Sequence, residues 1–573
     1  MTQYKEVIGE IIAGAVQELA PAEILDMVEI PADSQMGDYA LPCFKLAKTL
    51  KKAPPLIAKE IAEKMAGHAL FAKVEAVGGY VNLFVERECF MESLLRETAA
   101  KKEAYGRSTI GKGKKAVVEF SSPNIAKPFH IGHIRSTVIG NALYKIYDFL
   151  GYETIRVNHL GDYGTQFGKM ICAYKRWGNA EDVTREPITT LLSYYIKFHE
   201  ESEKDPTLED EARAAFARLE QGEAEETALW QWFRDESLKE FERVYRMLGI
   251  EFDSYAGESF YSDKMPRVLD MMEQKGIMEE SQGAQIVELS AYGLSPAMIT
   301  KQDGSTLYIT RDITAAIYRK EHYDFDKNLY IVGSQQILHF QQWIKIIELL
   351  GFAWAKDCVH IPFGLVSLED GAIMSTRQGR VVFLEEVLMK AVEKTREIIV
   401  EKGVNAEHVD EIAEQVGIGA VIFQELANSR IKDYIFSWDK VLNFDGETGP
   451  YVQYTHARIA SVLRNAGEEA VRAATASPEG RMKYVVGDSA FALGKLIYRL
   501  PEVICDAAEK YEPSIVTRHV VDIAQAFNRF YHDEHILVED EAEKEAKLAL
   551  AFAAKMALQN GLGLLGIAAP DKM

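Results

Sequence analysis

No stretch of the 573-residue chain approaches the roughly 18 consecutive apolar residues that a membrane-spanning helix needs. The opening segment, Met1 to Ala20, carries an amphipathic helix pattern (Ile8, Ile11, Ile12, Val16, Leu19) broken by Glu6, Glu10 and Glu18. It lacks both the basic start and the apolar run of a secretory leader. Five cysteines (Cys43, Cys89, Cys172, Cys358, Cys505) are odd in number and widely scattered, with no Cys-x-x-Cys pair. That argues for reduced thiols, against a disulfide framework and against a structural zinc. A cytoplasmic protein is the expectation. Net positive charge is missing too: 65 Lys and Arg face 87 Asp and Glu, for a formal charge of −22. Such a balance argues against a non-specific nucleic-acid binder but leaves room for a specific contact through a local basic patch. The densest acid, from Glu200 to Glu226 with eleven acidic residues against three basic ones, reads as a solvated helical face.

What is present is ordinary globular material, 47% hydrophobic and 27% charged, and too long for one core. Residues 1–112 read as a small α+β unit. A helix near Cys43 to Lys51 is broken by Pro54-Pro55, another runs from Ile57 to Met65, and two strands between Val74 and Val85 are joined by a glycine turn. Residues 113–390 read as a Rossmann-like parallel sheet. Its strand patterns are Ala116–Phe120, Thr154–Asn158, Asn328–Gly333 and Val359–Gly364, interrupted by a large insertion at about 179–305. Residues 391–573 read as an all-helical bundle without strands. The expected class is therefore multidomain α/β.

The chemistry concentrates in Ser121-Ser122-Pro123-Asn124-Ile125-Ala126-Lys127-Pro128-Phe129-His130-Ile131-Gly132-His133. A β-branched strand pattern precedes it, and Ile131, Ile134, Val138, Ala142, Ile146 and Phe149 follow at helical spacing. Pro128 suits a helix start, and His130 and His133 share one face of the first turn. A helix N-terminus offers free N–H groups to phosphate, and Gly132 leaves room for a ring to lie on the backbone. A zinc site would need a third ligand, yet no Cys, Asp or Glu falls between Ser121 and Asn141.

This stretch resembles the HIGH signature of class I aminoacyl-tRNA synthetases, in the form found in arginyl-tRNA synthetases. Gly37-Asp38-Tyr39 and Gly79-Tyr80-Val81-Asn82 are similar to that family's additional N-terminal domain, which touches the outer corner of tRNA. The stretch from Gly449 to Arg458 and the closing Leu565–Met573 resemble its anticodon-binding bundle, where Arg458, Arg464, Lys495 and Arg499 are candidates for phosphate contact. The resemblance implies an ATP-dependent arginine–tRNA ligase, with arginine, tRNA and ATP as partners and magnesium arriving with ATP. A monomer without a protein-bound metal is expected.

The second class I signature, Lys-Met-Ser-Lys-Ser, is matched by Ile373-Met374-Ser375-Thr376-Arg377, with isoleucine and threonine in place of the lysines. In family members without the loop lysine, the lysine three residues before the first signature histidine takes over, and that residue is Lys127. The resemblance thus implies Lys127, His130, His133 and Arg377 as catalytic, and Phe129, His130, Gly132, His133, Met374 and Ser375 as ATP-binding. For arginine it implies Glu119, Asn124, His159, Tyr308, Asp312 and Gln336. Asn124 with Glu119 or Gln336 would meet the α-amino end, and Tyr308 with Asp312 the guanidinium. Two other readings remain open: a class I synthetase for another amino acid, and a synthetase-like tRNA-binding protein without catalysis.

Overall fold

The N-terminal hairpin expected from the sequence acquires a third strand. In the computed structural model, which describes residues 4–15, 21–25, 27–31, 33–127, 129–301, 307–367, 382–401, 408–435, 437, 439, 446–476 and 480–573, the run after Gly37 is strand β1 (Tyr39–Pro42). With β2 (Phe71–Val77) and β3 (Tyr80–Val85) it forms an antiparallel sheet in the order β1-β3-β2. The helix expected from Cys43 to Lys51 shrinks to Ala47–Leu50, because the Cys43 N–H donates to the Gly79 carbonyl at 2.8 Å instead of starting a helix. Pro54 and Pro55 open the helix Pro54–Met65 and do not merely precede it, since a first turn has no use for their missing N–H groups. That helix buries Ile57, Ala58, Ile61, Ala62 and Met65, one apolar stripe. Asp38 fixes the sheet edge, accepting the Val85 N–H at 3.1 Å and pairing with Lys495 at 3.0 Å. Lys495, a candidate for phosphate, is therefore engaged within the protein.

The chain folds as two compact units, one of residues 1–105, 459–499 and 525–557, the other of residues 106–458, 500–524 and 558–573. The second holds the parallel sheet. Strand β4 (Lys115–Glu119) leads into the signature stretch, and β5 (Glu153–Val157) follows the helix Ile134–Phe149. The insertion carries helices through Met247, then a small antiparallel sheet of β6 (Glu279–Ser281), β7 (Ala284–Val287) and β8 (Ala297–Thr300). Strands β9 (Lys327–Gly333) and β10 (Cys358–Phe363) complete the order β10-β9-β4-β5, parallel throughout. Val117, Val157, Tyr330, Ile313 and Trp343 meet in one buried cluster, each large apolar side chain contributing about 1.5–3 kcal/mol. On the helix Ile134–Phe149, a Cβ at Gly140 would stand 2.1 Å from Phe120 Cβ, so only glycine lets this helix lie so close to the sheet.

Two further expectations need correction. The C-terminal region is not free of strand: β11 (Val366–Ser367) pairs in parallel with β12 (Tyr434–Ile435). The two-residue length of each gives no alternation to read. The acidic insertion is not purely a solvated face either. Glu226 is buried between Lys175 and Arg218, each at 2.8 Å, and its hydrogen bond to Lys175 chiefly holds its carboxyl down at about 2. Residue 390 lies inside the continuous helix Leu384–Glu401.

Candidate active site

Beyond Glu119, the chain turns with three non-glycine residues in the left-handed region: Ser121 (φ 68°), Ser122 (φ 47°) and Ala126 (φ 58°). Such a conformation costs roughly 1–2 kcal/mol per residue, so the surroundings must hold it. They do so with hydrogen bonds. The Ser121 N–H donates to Ser136 Oγ (2.9 Å), whose hydroxyl donates to the Ile331 carbonyl (2.8 Å). Ser121 Oγ lies 2.9 Å from Thr137 Oγ1 and 2.8 Å from the Tyr245 hydroxyl. The Ala126 N–H donates to Ser237 Oγ at 3.0 Å. The turn after β5 clips on from the side: the Ile125 N–H donates to the Gly161 carbonyl (3.3 Å), and the Gly161 N–H to the Pro123 carbonyl (3.1 Å). A Cβ at position 161 would stand 2.1 Å from Asn124 Oδ1, which excludes any larger residue without a shift.

The two histidines cap their own turn. His130 is the N-cap of the short 3-10 turn Ile131–His133 that opens the signature helix. The Gly132 N–H donates to His130 Nδ1 (3.0 Å) and the His130 N–H to His133 Nδ1 (3.1 Å). Nδ1 of His130 is thus an acceptor and its proton sits on Nε2, whereas His133 Nδ1 lies both 3.1 Å from the His130 backbone nitrogen and 3.2 Å from the His130 carbonyl oxygen. The rings lie 4.0 Å apart, and Phe129 stacks on His133 at 5.1 Å. Burial pushes His130 down to about 4 and His133 to about 3, with Lys127 adding to both. At neutral pH the pair is uncharged. It offers hydrogen-bond donors, and the positive charge beside it is Lys127.

Lys127 lines a cavity of about 740 Å³ together with Tyr163, Gln166, Lys169, Tyr195 and Tyr308. The structure thereby brings a predicted catalytic lysine and a predicted arginine-binding tyrosine to the same cavity. Tyr308 opens the helix Tyr308–Tyr323, and Asp312 sits one turn on. Asp312 Oδ2 lies 2.5 Å from His339 Nε2. Two more carboxyls reach this helix. Glu119, at the end of β4, pairs with Arg319 at 2.5 Å, and Glu258 accepts from Arg311 Nη1 at 2.8 Å. Burial pushes the Glu258 carboxyl up to about 7 against the pull of Arg311. His159 donates its backbone N–H to Ser122 Oγ (3.2 Å), and its Nδ1 lies 3.4 Å from Arg319 Nη2.

The other expected residues distribute as follows. Asn124 is exposed and bridged to Gly161; Gln336 is exposed on the turn after β9. Pro128, Met374, Ser375 and Arg377 lie outside the described residues. Among the described residues no group of three or more His, Cys, Asp or Glu is placed to hold a metal ion, and no helix is long and apolar enough to cross a membrane. Sequence reasoning missed Arg319, Glu258, His339 and the Ser136–Thr137–Tyr245 support. Arg319 had a signal: Tyr308, Asp312 and Arg319 follow at i, i+4 and i+11, which returns to one helix face. Glu258 and Tyr245 come from the insertion and had none.

Three family profiles cover nearly the whole chain: an arginyl tRNA synthetase N-terminal domain at residues 3–85, a class I (R) tRNA synthetase catalytic domain at 95–438 and a DALR anticodon-binding domain at 452–573. The arginine–tRNA ligases of Halothermothrix orenii and Clostridioides difficile are each 57% identical over 573 residues, covering 100% of both chains in each comparison. The chain belongs to the arginyl-tRNA synthetase family. The arginyl-tRNA synthetase structure from Thermus thermophilus shares the fold, with a TM-score of 0.83 at 24% identity over 99% of this chain and 100% of that one. That from Plasmodium falciparum gives 0.81 at 22%, over 100% and 98%. Along this chain the N-terminal profile precedes the catalytic one and the DALR profile follows it.

Proposed function

We infer that this arginyl-tRNA synthetase family member is an ATP-dependent arginine–tRNA ligase. The substrate carboxylate attacks the α-phosphorus of ATP, pyrophosphate leaves, and arginyl-adenylate forms. A hydroxyl at the 3′ end of the tRNA then attacks the adenylate carbonyl, and AMP leaves. The substrates supply both nucleophiles, so the protein's work is alignment and stabilisation of charge on the phosphoryl oxygens. The observation that carries this reading is full-length likeness to arginine–tRNA ligases in a chain whose Lys127 and Tyr308 line one cavity.

In this reading Lys127 supplies the leading cation and Arg377 a supporting one. Neutral His130 offers an Nε2–H donor beside neutral His133, and the nucleotide lies on Phe129, Gly132, Met374 and Ser375. Magnesium enters with ATP as part of the substrate. Tyr308 and Asp312 meet the guanidinium; Asn124, Glu119, His159 and Gln336 gather at the α-amino end. Residues 1–112 contact tRNA, 113–390 form the catalytic domain, and 391–573 bind the anticodon, in a cytoplasmic monomer.

The test is charging of tRNA and exchange of labelled pyrophosphate into ATP, with arginine, lysine or glutamate and with and without tRNA. Arginine alone should support both reactions. Exchange driven by lysine or glutamate would reassign the substrate. Binding of tRNA with no exchange under any condition would leave a protein without catalysis.

A further inference from the structure

The first turn of the helix Ile134–Phe149 has two duties. Ser136 and Thr137 hold the nucleotide loop through Ser121. Arg135, in the same turn, reaches the exit of β10 and the segment 429–434. Its side chain is fully buried; Nη1 donates to the carbonyls of Gly364 (2.9 Å) and Lys432 (2.7 Å), and Nη2 to that of Ser429 (3.4 Å). More hydrogen bonds zip those two segments together: the Gly364 N–H donates to the Arg430 carbonyl (2.8 Å), the Tyr434 N–H to the Leu365 carbonyl (3.1 Å) and the Leu365 N–H to Asp433 Oδ1 (2.6 Å). A Cβ at Gly364 would stand 2.6 Å from Asp433 Oδ1, so the junction has no slack. Arg135 pins the helix of the nucleotide loop to it.

Beside this pin lies a carboxyl that the reaction does not use. Glu425, on the helix Val409–Ala427, has a side chain only 1% exposed, and neither of its oxygens has a hydrogen-bond partner among the described residues. Its Oε2 stands 3.6 Å from Arg135 Nε, which lacks an acceptor as well. A buried carboxylate is costly unless hydrogen-bonded, and it would draw a neighbouring guanidinium into a two-oxygen pair. Here both Nη groups go to main-chain carbonyls instead, the arrangement of a cation beside a neutral acid. The charged groups around the pair are Arg430 and Asp433 from the segment 429–434 and Glu512, with the Tyr434 ring centre 5.2 Å from the guanidinium. Burial pushes the Glu425 carboxyl up to about 8 against the pull of Arg135. Burial lowers Arg135 in turn, opposed by Glu425, Asp433 and Glu512.

We infer that Glu425 is a positioning residue of the nucleotide half: as a neutral acid it leaves both Nη groups of Arg135 to the carbonyls that pin the signature helix, and as a carboxylate it draws the guanidinium off them and loosens the turn of His130 and His133. This rests on the arginine–tRNA ligase reading, and it makes a proton far from the substrates a requirement for adenylate formation.

The test follows pyrophosphate exchange by the full-length enzyme with tRNA present, from about pH 6.5 to about pH 9.5, in wild type and in Glu425→Gln, which keeps the shape of the neutral acid and cannot ionise. In wild type, kcat/KM for ATP should fall about fivefold or more, with a midpoint near 8. Glu425→Gln should match wild type within about twofold at about pH 7 and lose that fall. In infrared spectra, a carboxylic-acid stretch should titrate away over the same interval in wild type and be missing from the variant. The same alkaline fall in both proteins would place the titrating group elsewhere and overturn the proposal. A glutamine variant that loses most of its activity at every pH would show that the carboxylate is the working form, and would overturn it too. If the glutamine variant does not fold, Glu425→Met, equally unable to ionise, is held to the same two profiles. Wild-type enzyme with no arginine-dependent exchange at any pH would instead remove the ligase reading itself, and the infrared band would still decide whether Glu425 holds its proton.

Discussion

The two halves of the site are built by opposite means. Around the nucleotide loop the protein uses neutral groups: two uncharged histidines capping each other's turn, and serine, threonine and tyrosine hydroxyls gripping a strained backbone. Around the helix Tyr308–Tyr323 it uses ions, pairing Glu119 with Arg319 and Glu258 with Arg311. The difference follows from the ligands. A triphosphate brings several negative charges of its own and needs preorganised donors plus a cation that acts as charge develops. A guanidinium needs a carboxylate, and internal arginines pair with two of the three that gather at this helix. In the proposed reading, Asp312, beside His339, is the carboxylate that meets the substrate guanidinium.

Several substitutions would break or sharpen this contrast. Lys127→Ala should remove the charged element of the nucleotide half and slow arginine activation by about a hundredfold to a thousandfold, measured by single-turnover adenylate formation. A loss below about fivefold would move the catalytic cation elsewhere. Next, Asp312→Asn should raise the KM for arginine by about thirtyfold while the KM for ATP stays within about twofold, since the two halves act separately. Gly161→Ala should strain both turns at once through Asn124, costing about 1–3 kcal/mol in urea unfolding and lowering kcat/KM for both substrates.

The smallest effects concern pH. His130 and His133 are held neutral in the fold, with values near 4 and 3, while the unfolded chain protonates them near the ordinary 6.5. The unfolded state therefore gains protons first as pH falls. Wild-type stability should drop relative to the non-titrating His133→Gln variant from about pH 6.5 downward, as followed by thermal unfolding. A constant difference over that range would mean that the histidines are not buried as neutral rings. Glu425 carries the opposite sign: burial pushes its carboxyl up to about 8 despite Arg135 at 3.6 Å. The folded state keeps that proton after the unfolded state has lost it, so its contribution is fully present below about pH 4.5 and is lost as pH rises to about 8. The stability gap between wild type and Glu425→Gln should therefore widen against wild type across that interval.

Much of this is legible in the sequence, for a local reason. The parallel strands announced themselves as β-branched runs, and the signature turn as strand, short polar loop and helix; all of that is sequence-adjacent. The position of Asp312 one turn after Tyr308 was likewise readable from spacing. The support of the loop was not, because Tyr245 and Ser237 reach it from the insertion, across more than a hundred residues of chain. The pairing of Glu119 with Arg319 joins a strand end to a distant helix, and only the register of β4 on β9 brings them together. In the N-terminal unit, the four residues Tyr39–Pro42 carry too little alternation to declare a strand; pairing with β3 decides it.

The most direct measurement compares arginine with citrulline, its uncharged counterpart, in pyrophosphate exchange with tRNA present, for wild type and Asp312→Asn. With the ionic half of the site reading the guanidinium through Asp312, wild type should use arginine and reject citrulline, and the variant should lose most of that preference. A variant that weakens yet discriminates as sharply as wild type would contradict the account and place guanidinium recognition on another carboxylate.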